Sequence, residues 1–472
     1  MKIIDKIYVD GRFIEPHGTE TLDLYNPATG EKIGVVHLGD QIDTEQAIGA
    51  AKKAFFTFSK STLKERGEIL QRLHDAILAN EEELNKAAVE EYGSPISATK
   101  GRTRYAAQIF LDTKAAMEEF EFEKQLEYAT IVNEALGVIA AITPWNADYT
   151  HICGKLAPAI AAGCTIVIKP SELSAIQTQI LTQCFDQAAV PKGVINIVNG
   201  TGPVVGATMT AHPDIAVVTF TGSTQIGRLI GSKAAETMKR VTLELGGKSP
   251  NIILEDADLE KAIPLALSIG FSNSGQACHA GTRIIVPESK LEEIKSLIIE
   301  SVKNIKIGDL WNTDSYIGPM VSQKQYDTVQ RYIQSGWDQG AEILVGGPGH
   351  PEGLGGFYAK PTVFVNVKPD MIIAKEEIFG PVLCVITYKT EQEAIEIAND
   401  TIYGLSAYIS TTDVQKGKQI ARQIISGRVL INTAINKEPK SPFGGFKQSG
   451  IGRTSWAYGI EEYVEPKVIA SY

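Results

Sequence analysis

Short apolar segments alternate with helical segments between residues 138 and 256, and this alternation sets the strongest limit on the fold. Such alternation is typical of a doubly wound parallel sheet with helices on both faces. The same alternation returns between residues 251 and 440, which predicts a second α/β domain. The pattern predicts strands at 166–168, 195–198, 217–220 and 241–245, and helices at 177–188, 203–211 and 225–237.

The rest of the chain predicts helices early and strands at its margins. At 472 residues the chain is too long for one hydrophobic core. Residues 128–133 and 137–142 look like two paired strands, and the pair fits either an arm that joins subunits or an ordinary edge hairpin. The tail, 460–470, alternates again and predicts a strand that is added to another subunit. Apolar residues recur at helical spacing over 43–54, 63–80, 81–92 and 96–120.

Composition excludes several classes of protein. The net charge is −11, without basic blocks, which argues against nucleic-acid and anionic-membrane binding. No apolar run approaches the roughly 20 residues that span a bilayer, and the first residues lack the apolar core of a signal peptide. The five cysteines are widely spaced, and no Cys/His cluster has zinc spacing. We therefore expect free thiols, a cytoplasmic location and no metal site.

One cysteine and one acid have surroundings that suit catalysis. Cys278 lies among small residues after an apolar run, so a ligand can approach its sulfur. Glu244 ends a β-rich run and is followed by two glycines. A thiolate is a strong nucleophile, and a nearby acid can activate water. Taken alone, this segment favours the simpler interpretation of Cys278 as a small buried hydrophobe, and the rest of the chain reverses that preference.

Several strand ends carry residues that suit a nucleotide ligand. Gly202 and Gly222–Ser223 stand at strand-to-helix turns, where backbone amides can approach a phosphate. Lys169 and Glu172 follow another strand, where ligands of open α/β sheets bind. Glu172 could accept bonds from ribose hydroxyls, or simply stand in the first turn of a helix that Ser171 caps. Asn146, at a further strand end, could donate to an oxyanion.

Eight ordered motifs together resemble the aldehyde dehydrogenase superfamily, from about residue 8 to 470. Any one of them would be weak, but their order and spacing are specific. They are Pro144-Trp145-Asn146, Lys169-Pro170-Ser171-Glu172, Phe220-Thr221-Gly222-Ser223, Glu244-Leu245-Gly246-Gly247-Lys248, Gly275-Gln276-Ala277-Cys278, the run from Glu376 to Pro381, the run from Asn399 to Gly404, and the run from Pro442 to Gly450.

The resemblance implies a reaction and a role for each motif residue. It implies NAD-dependent oxidation of an aldehyde to a carboxylate by a homodimer or homotetramer. Cys278 would be the nucleophile, Glu244 the base for the deacylating water, Asn146 an oxyanion donor and Lys155 a proton-relay residue. Lys169 and Glu172 would bind the adenosine ribose, and Ser223 the pyrophosphate. The remaining cofactor residues would be Trp145, Gly202, Phe220, Gly222, Leu245, Glu377 and Phe379.

The resemblance also implies a domain plan. Residues 1–122 and 137–246 would bind NAD, and 247–445 would form the catalytic domain. Residues 123–136 and 460–472 would form a small β oligomerisation element, and 446–459 a return segment. The expected fold is therefore two doubly wound parallel-sheet domains, one of them Rossmann-like, with this small β element.

Departures from the family pattern concern the substrate. Ala147 stands where an aromatic residue is usual, and His151 and Gly154 replace bulky apolar residues. Residues 147, 151 and 154 share one helical face, so we expect a wide, polar substrate tunnel, with His279 beside the nucleophile. Two alternatives stay open: a coenzyme A-acylating aldehyde dehydrogenase, and a non-catalytic binding homologue of the same fold.

Overall fold

Two large, mostly parallel sheets organise the chain, and two small three-stranded sheets flank them. The structure is a computed structural model, and it describes residues 1–470. The strands are β1 (Lys2–Ile4), β2 (Ile7–Val9), β3 (Arg12–Ile14), β4 (Thr21–Tyr25), β5 (Lys32–His37), β6 (Glu123–Gln125), β7 (Ala129–Ala135), β8 (Val138–Ile142), β9 (Thr165–Lys169), β10 (Ile195–Ile197), β11 (Ile215–Thr221), β12 (Arg240–Glu244), β13 (Pro250–Ile253), β14 (Arg283–Pro287), β15 (Glu342–Val345), β16 (Thr362–Val365), β17 (Val382–Tyr388), β18 (Ser406–Ser410), β19 (Arg428–Ile431), β20 (Gly450–Ile451) and β21 (Val464–Ala470).

Helices fill most of the connections between these strands. The first two begin with reciprocal capping boxes, Asp40 with Asp43 and Thr62 with Glu65. The helices are α1 (Gln41–Phe58), α2 (Leu63–Ala79), α3 (Glu81–Ala87), α4 (Ile96–Glu119), α5 (Asp148–Ala162), α6 (Ala175–Gln187), α7 (Ala207–Ala211), α8 (Thr224–Ala235), α9 (Leu259–Gly270), α10 (Leu291–Lys303), α11 (Gln323–Asp338), α12 (Ile372–Lys375), α13 (Glu391–Asn399), α14 (Val414–Ala421) and α15 (Trp456–Glu461).

The first large sheet has the order β20-β12-β11-β8-β9-β10-β2-β3. Its five central strands, from β12 to β10, run parallel, whereas β20, β2 and β3 pair antiparallel at the edges. Strand β8 is buried on both faces: Ile139 and Ala141 pack into one hydrophobic cluster, and Val138 and Ala140 into another. The predicted doubly wound sheet is therefore confirmed.

The second large sheet has the order β15-β16-β17-β14-β13-β18-β19. All its pairings are parallel except β15 with β16. Successive residues again divide between two clusters, with Ile252 on one face of the sheet and Ile253 on the other. The division of the chain into domains stays a prediction.

The predicted pairing of 128–133 with 137–142 is wrong. Strand β7 pairs with β6 and with β21, while β8 lies inside the first large sheet. Every residue of β8 is buried, which a two-stranded edge hairpin cannot provide. Gly137, at a φ of 138°, carries the chain from one sheet to the other. The tail does form a strand, but β21 pairs with β7 of its own chain.

The carboxyl ends of β8, β9, β11 and β12 lie at one edge of the first sheet because these strands are parallel. Asn146, Lys169, Gly222 and Glu244 stand at or just beyond those ends. The turn that carries Cys278 comes from the other large sheet, between α9 and β14, and contacts Asn146 there. Among residues 1–470, no helix has both the length and the apolar character needed to cross a membrane.

Candidate active site

A cleft of about 710 Å³, counted with the solvent at its mouth, lies between the strand ends and the Cys278 turn. It brings together most of the predicted site residues. Those that line it are Trp145, Asn146, His151, Gly222, Ser223, Glu244, Leu245, Cys278, Glu377 and Phe379. Lys155, Lys169, Glu172, Gly202, Phe220, Ala147, Gly154 and His279 lie outside this lining. Four lining residues had no predicted role: Pro144, Thr221 and Gly246, which belong to the motifs, and Gln325, which belongs to none.

The turn before Cys278 has an unusual backbone. Asn273, Ser274 and Gly275 all have positive φ, at 53°, 58° and 73°. A Cβ on Gly275 would approach the Gly380 carbonyl oxygen to 2.1 Å, so only glycine fits there. The side chain of buried Gln276 donates to a neighbouring loop carbonyl and accepts the backbone N–H of Val321 at 3.0 Å. These constraints hold the half-buried Cys278 at the cleft.

Two asparagines connect this turn to the end of β8. The Asn146 side chain donates through Nδ2 to the Gln276 carbonyl at 3.0 Å. The Asn273 Nδ2 group donates to the carbonyls of Asn146 and Gln276, both at 2.9 Å. An amide carries two N–H groups, so Asn146 keeps one donor that a ligand in the cleft can use.

The Cys278 thiol is protonated in this environment. Burial raises its pKa to about 12, and the carboxylates of Glu377 and Glu244 add to the shift. A thiol with so high a pKa is a poor nucleophile at neutral pH. Reactivity therefore requires a positive charge or a base that the ligand-bound site supplies.

Glu244 lies at the end of β12 with a buried carboxyl group. Neither of its side-chain oxygens has a hydrogen-bond partner among residues 1–470. Burial raises the pKa of Glu244, and the Lys155 cation opposes that rise. Lys155, from α5, donates to Thr219 Oγ1 at 2.9 Å, and burial lowers its own pKa. An unpartnered carboxyl group in a cleft is suited to accept a proton from water.

The predicted ribose and phosphate residues keep the positions that their motifs indicate. Lys169 Nζ lies 3.1 Å from Glu172 Oε2. Ser171 Oγ accepts the backbone N–H of Leu173, so Glu172 also stands in the first turn of a capped helix. Ser223 caps α8 at the cleft. Both interpretations of Glu172 are therefore compatible with one geometry.

Glycines give the cleft its width at two points. A Cβ on Gly222 would approach the Phe220 ring to 2.4 Å, and one on Gly246 would approach Glu377 Oε2 to 2.3 Å. The other oxygen of Glu377 accepts the Gly247 N–H at 3.0 Å. Burial raises the pKa of Glu377 to about 7. These carboxylate and glycine positions fit a polar, hydroxyl-bearing ligand such as a dinucleotide.

Aromatic rings close one end of the cleft. Trp145 and Phe379 meet edge to face, with ring centroids 5.4 Å apart. Phe379 has a φ of 58°, and the Gln325 side chain donates to its carbonyl at 2.8 Å. Gln325 lies on α11, about 50 residues from the Phe379 motif, and no local pattern marks it.

Of the predicted tunnel residues, His151 and Gly154 lie on one partly exposed face of α5, and Ala147 is the residue just before that helix. A Cβ on Gly154 would meet no heavy atom within 4 Å, so this position is open. Burial lowers the pKa of His151 to about 3, and His151 is therefore neutral at physiological pH. Asp148 points the other way, where its carboxylate accepts the hydroxyls of Ser174 and Thr178.

Comparison with known proteins identifies the family. The model of the aldehyde dehydrogenase family matches residues 13–469, and the chain belongs to that family. The predicted family, fold class and enzyme class are thereby confirmed.

Three similar proteins illustrate the match. A 3-succinoylsemialdehyde-pyridine dehydrogenase of a Pseudomonas species is 42% identical, over 100% of this chain and 99% of the relative. A mutant aldehyde dehydrogenase C of Pseudomonas syringae, solved with NAD+ and octanal, has a TM-score of 0.97 and 42% identity, covering 99% of this chain and 96% of the other. An aldehyde dehydrogenase of Bacillus cereus in complex with NAD+ has a TM-score of 0.95 and 37% identity, with coverage of 99% and 96%.

Proposed function

We propose that this protein oxidises an aldehyde to a carboxylate with NAD, through a thioester on Cys278. The observation that carries the proposal is that Cys278, Asn146 and the unpartnered carboxyl group of Glu244 line one cleft. A nucleophile, an oxyanion donor and a base are the three groups that acyl chemistry on a thiol requires.

In the first step, the Cys278 thiol loses its proton to solvent, the thiolate Sγ forms a bond to the aldehyde carbon, and the carbonyl electron pair moves to oxygen. The free N–H of the Asn146 amide and the backbone N–H of Cys278 stabilise that oxyanion. Each such donor contributes on the order of 3 kcal/mol in comparable sites.

The residues around the cleft fit NAD. Lys169 and Glu172 would hold the adenosine ribose, and Ser223 at the start of α8 would hold the pyrophosphate. Glu377 and Phe379 would hold the nicotinamide ribose, while Trp145, Gly202, Phe220, Gly222 and Leu245 would shape the groove. When bound, NAD supplies the acceptor for the hydride that leaves the adduct on Cys278 as the thioester forms.

In the last step, water attacks the thioester carbon while its proton passes to Glu244. The C–S bond breaks, the sulfur takes the electron pair, and the acid is released. Lys155, the proposed proton-relay residue, stabilises the ionised form of Glu244. The carboxyl group of Glu244 favours hydrolysis over transfer of the acyl group to coenzyme A.

Three measurements test the mechanism. Cys278→Ala should abolish NADH formation while NAD binding, followed by calorimetry, stays near normal. Glu244→Gln should give one equivalent of NADH rapidly and then turn over slowly, because acylation does not need the base. A strict requirement of the wild type for coenzyme A would favour the acylating alternative. Retained activity in Cys278→Ala would remove the nucleophile assignment.

We further propose a homodimer or homotetramer built through the β6–β7–β21 sheet. The β21 strand leaves Val468 and Ile469 exposed, at 64% and 54%, on a sheet of only three strands. Exposed apolar strands of this kind are typical of interfaces. Light scattering of wild type and Ile469→Lys tests this, and a monomeric wild type would contradict it.

The five free cysteines support a cytoplasmic location.

A further inference from the structure

Four basic side chains from four different elements converge beside Cys278. Arg102 comes from α4, His151 from α5, His279 from the nucleophile turn and Arg428 from β19. His151 lines the cleft together with Cys278, Arg102 donates to the turn that carries Cys278, and the Arg428 cation adds to the burial that lowers the pKa of His279. The four side chains therefore lie in or beside the turn that carries the nucleophile.

Arg102 is anchored to the turn that carries Cys278. Its Nη2 group donates to Asn273 Oδ1 at 2.8 Å, and its guanidinium lies 5.5 Å from the centroid of the Tyr92 ring. Asn273 belongs to the turn that carries Cys278, so the guanidinium is fixed near the nucleophile. A guanidinium has five N–H donors, and this anchoring leaves several of them for a ligand.

Arg428 lies on β19, and its charge acts on Cys278 and His279. Its Nε group donates to Ser406 Oγ at 2.8 Å, and its guanidinium lies 5.0 Å from the centroid of Phe443. Tyr408, on the neighbouring strand, donates to the His279 carbonyl at 2.9 Å, and this bond links the strands around Arg428 to the nucleophile turn. Arg428 is half-buried, as Arg102 is.

The positive charge of this group is not neutralised by neighbouring acids. Among residues 1–470, no carboxylate lies within 4.0 Å of the Arg102 or Arg428 guanidinium. Burial lowers the pKa of both His151 and His279 to about 3, so only the two arginines carry charge at neutral pH. Burial raises the pKa of Glu244, the proposed base, and the cations of Lys155, Arg453 and Arg428 oppose that rise. Half-buried guanidinium groups without acidic partners favour an anionic ligand.

We propose that Arg102 and Arg428 select aldehydes that carry a carboxylate at the end remote from the aldehyde group. This inference rests on the proposed function and specifies its substrate class. The thiol of Cys278 would take the aldehyde end, and the guanidinium groups would take the anionic end. His151 and His279, as neutral side chains, would contribute hydrogen bonds to polar atoms between the two ends.

The test compares matched substrates that differ only in the remote group. Initial rates of NADH formation would be measured with succinic semialdehyde against butanal, and with adipic semialdehyde against hexanal. The methyl ester of each semialdehyde separates charge from size. We expect wild-type kcat/KM to favour at least one semialdehyde over its alkanal and its ester by about tenfold or more.

Variants then assign the preference to the arginines. Arg102→Met and Arg428→Met should each lower kcat/KM for the preferred semialdehyde by about 10- to 100-fold, with less than about a twofold change for the alkanal. Arg104→Met is the matched control, because Arg104 lies on the same helix but is exposed and paired with Glu81 at 2.8 Å. It should change neither rate.

Three outcomes would overturn the proposal. The first is a wild type with a higher kcat/KM for the alkanal or the ester than for the semialdehyde. The second is an equal loss of kcat/KM for the semialdehyde and the alkanal in Arg102→Met. The third is an unchanged kcat/KM for the semialdehyde in both arginine variants. An equal loss would assign Arg102 a structural role through Asn273. If the variants do not fold, adipate should still inhibit hexanal oxidation by the wild type more strongly than hexanoate does. A wild type that oxidises no aldehyde would instead contradict the proposed function itself.

Discussion

The side-chain amide of Asn273 donates to the backbone carbonyl of Asn146 across 2.9 Å. The same amide donates to the Gln276 carbonyl, which also accepts the side chain of Asn146. The three residues form a closed set of bonds between the nucleophile turn and the end of β8. Asn273 does not line the cleft, and we expect it to fix the distance between the sulfur and the proposed oxyanion donor.

Asn273→Gly should separate this positioning role from a general structural one. Asn273 has a φ of 53°, a conformation that glycine adopts without strain. We expect kcat to fall by about 10- to 100-fold as the Asn146 donor loses its alignment, with KM for NAD little changed. The NADH burst should slow while the melting temperature changes by only a few degrees. A variant that melts much earlier but keeps its burst rate would contradict the positioning role.

Labelling of Cys278 should depend on pH and on cofactor. Because burial raises its thiol pKa to about 12, alkylation by iodoacetamide should be slow at neutral pH and should accelerate as the pH rises. NAD+ should accelerate it further, since a cationic nicotinamide near the sulfur favours the thiolate. Peptide mass spectrometry would follow the site, with fully buried Cys384 as the internal control. A rate independent of both pH and NAD+ would argue against this account of the thiol.

The Lys155 charge should set the pH dependence of deacylation. Burial raises the pKa of Glu244, and the Lys155 cation lowers it. Removing the cation in Lys155→Met should raise the Glu244 pKa further, so a larger fraction of the base is protonated at any given pH. The acid limb of the kcat profile should then move to higher pH by about one unit or more. Lys155→Arg keeps the positive charge, so it should move the acid limb of the kcat profile less than Lys155→Met does. A shift to lower pH would contradict the coupling.

The sequence predicts the parallel strands well because β8 and β9 are buried on both faces and contain continuous apolar runs. It also predicts which residues lie together at the strand ends, because parallel strands place their carboxyl ends at the same edge of a sheet. It does not predict the partner of β7, because alternation indicates a strand but not its neighbour. It also misses Arg102, Arg428 and Gln325, which reach the site only through long-range folding.

Glu172 should determine the preference between NAD and NADP. Its carboxylate is held by Lys169 at 3.1 Å, and the side chain stays 33% exposed beside the groove. A 2′-phosphate placed there would meet a like charge. Glu172→Ser should therefore raise kcat/KM for NADP relative to NAD. Glu172→Gln, which keeps the length of the side chain but not its charge, should also raise kcat/KM for NADP relative to NAD. If Glu172 is only a first-turn acid, both variants should lose a little stability and keep the wild-type preference.

Gly246 should be required for the placement of Glu377. An alanine Cβ at this position would lie 2.3 Å from Glu377 Oε2 and 3.2 Å from Tyr403 Cε1, so the carboxylate must move. Since the other oxygen is bonded to the Gly247 N–H, this movement breaks that contact as well. Gly246→Ala should raise KM for NAD about as much as Glu377→Gln does, and iodoacetamide should still reach Cys278.

Two comparisons distinguish this effect from a simple loss of stability. Gly49→Ala introduces the same methyl group into α1, where its Cβ would meet nothing within 4 Å, and it should leave KM for NAD unchanged. The double variant Gly246→Ala/Glu377→Ala should have the same KM for NAD as Glu377→Ala alone. Without the Glu377 carboxylate the alanine Cβ at position 246 has nothing to displace, so the two effects are not additive. If the two losses in NAD affinity instead add in full, Gly246 acts on the cleft by a route other than Glu377.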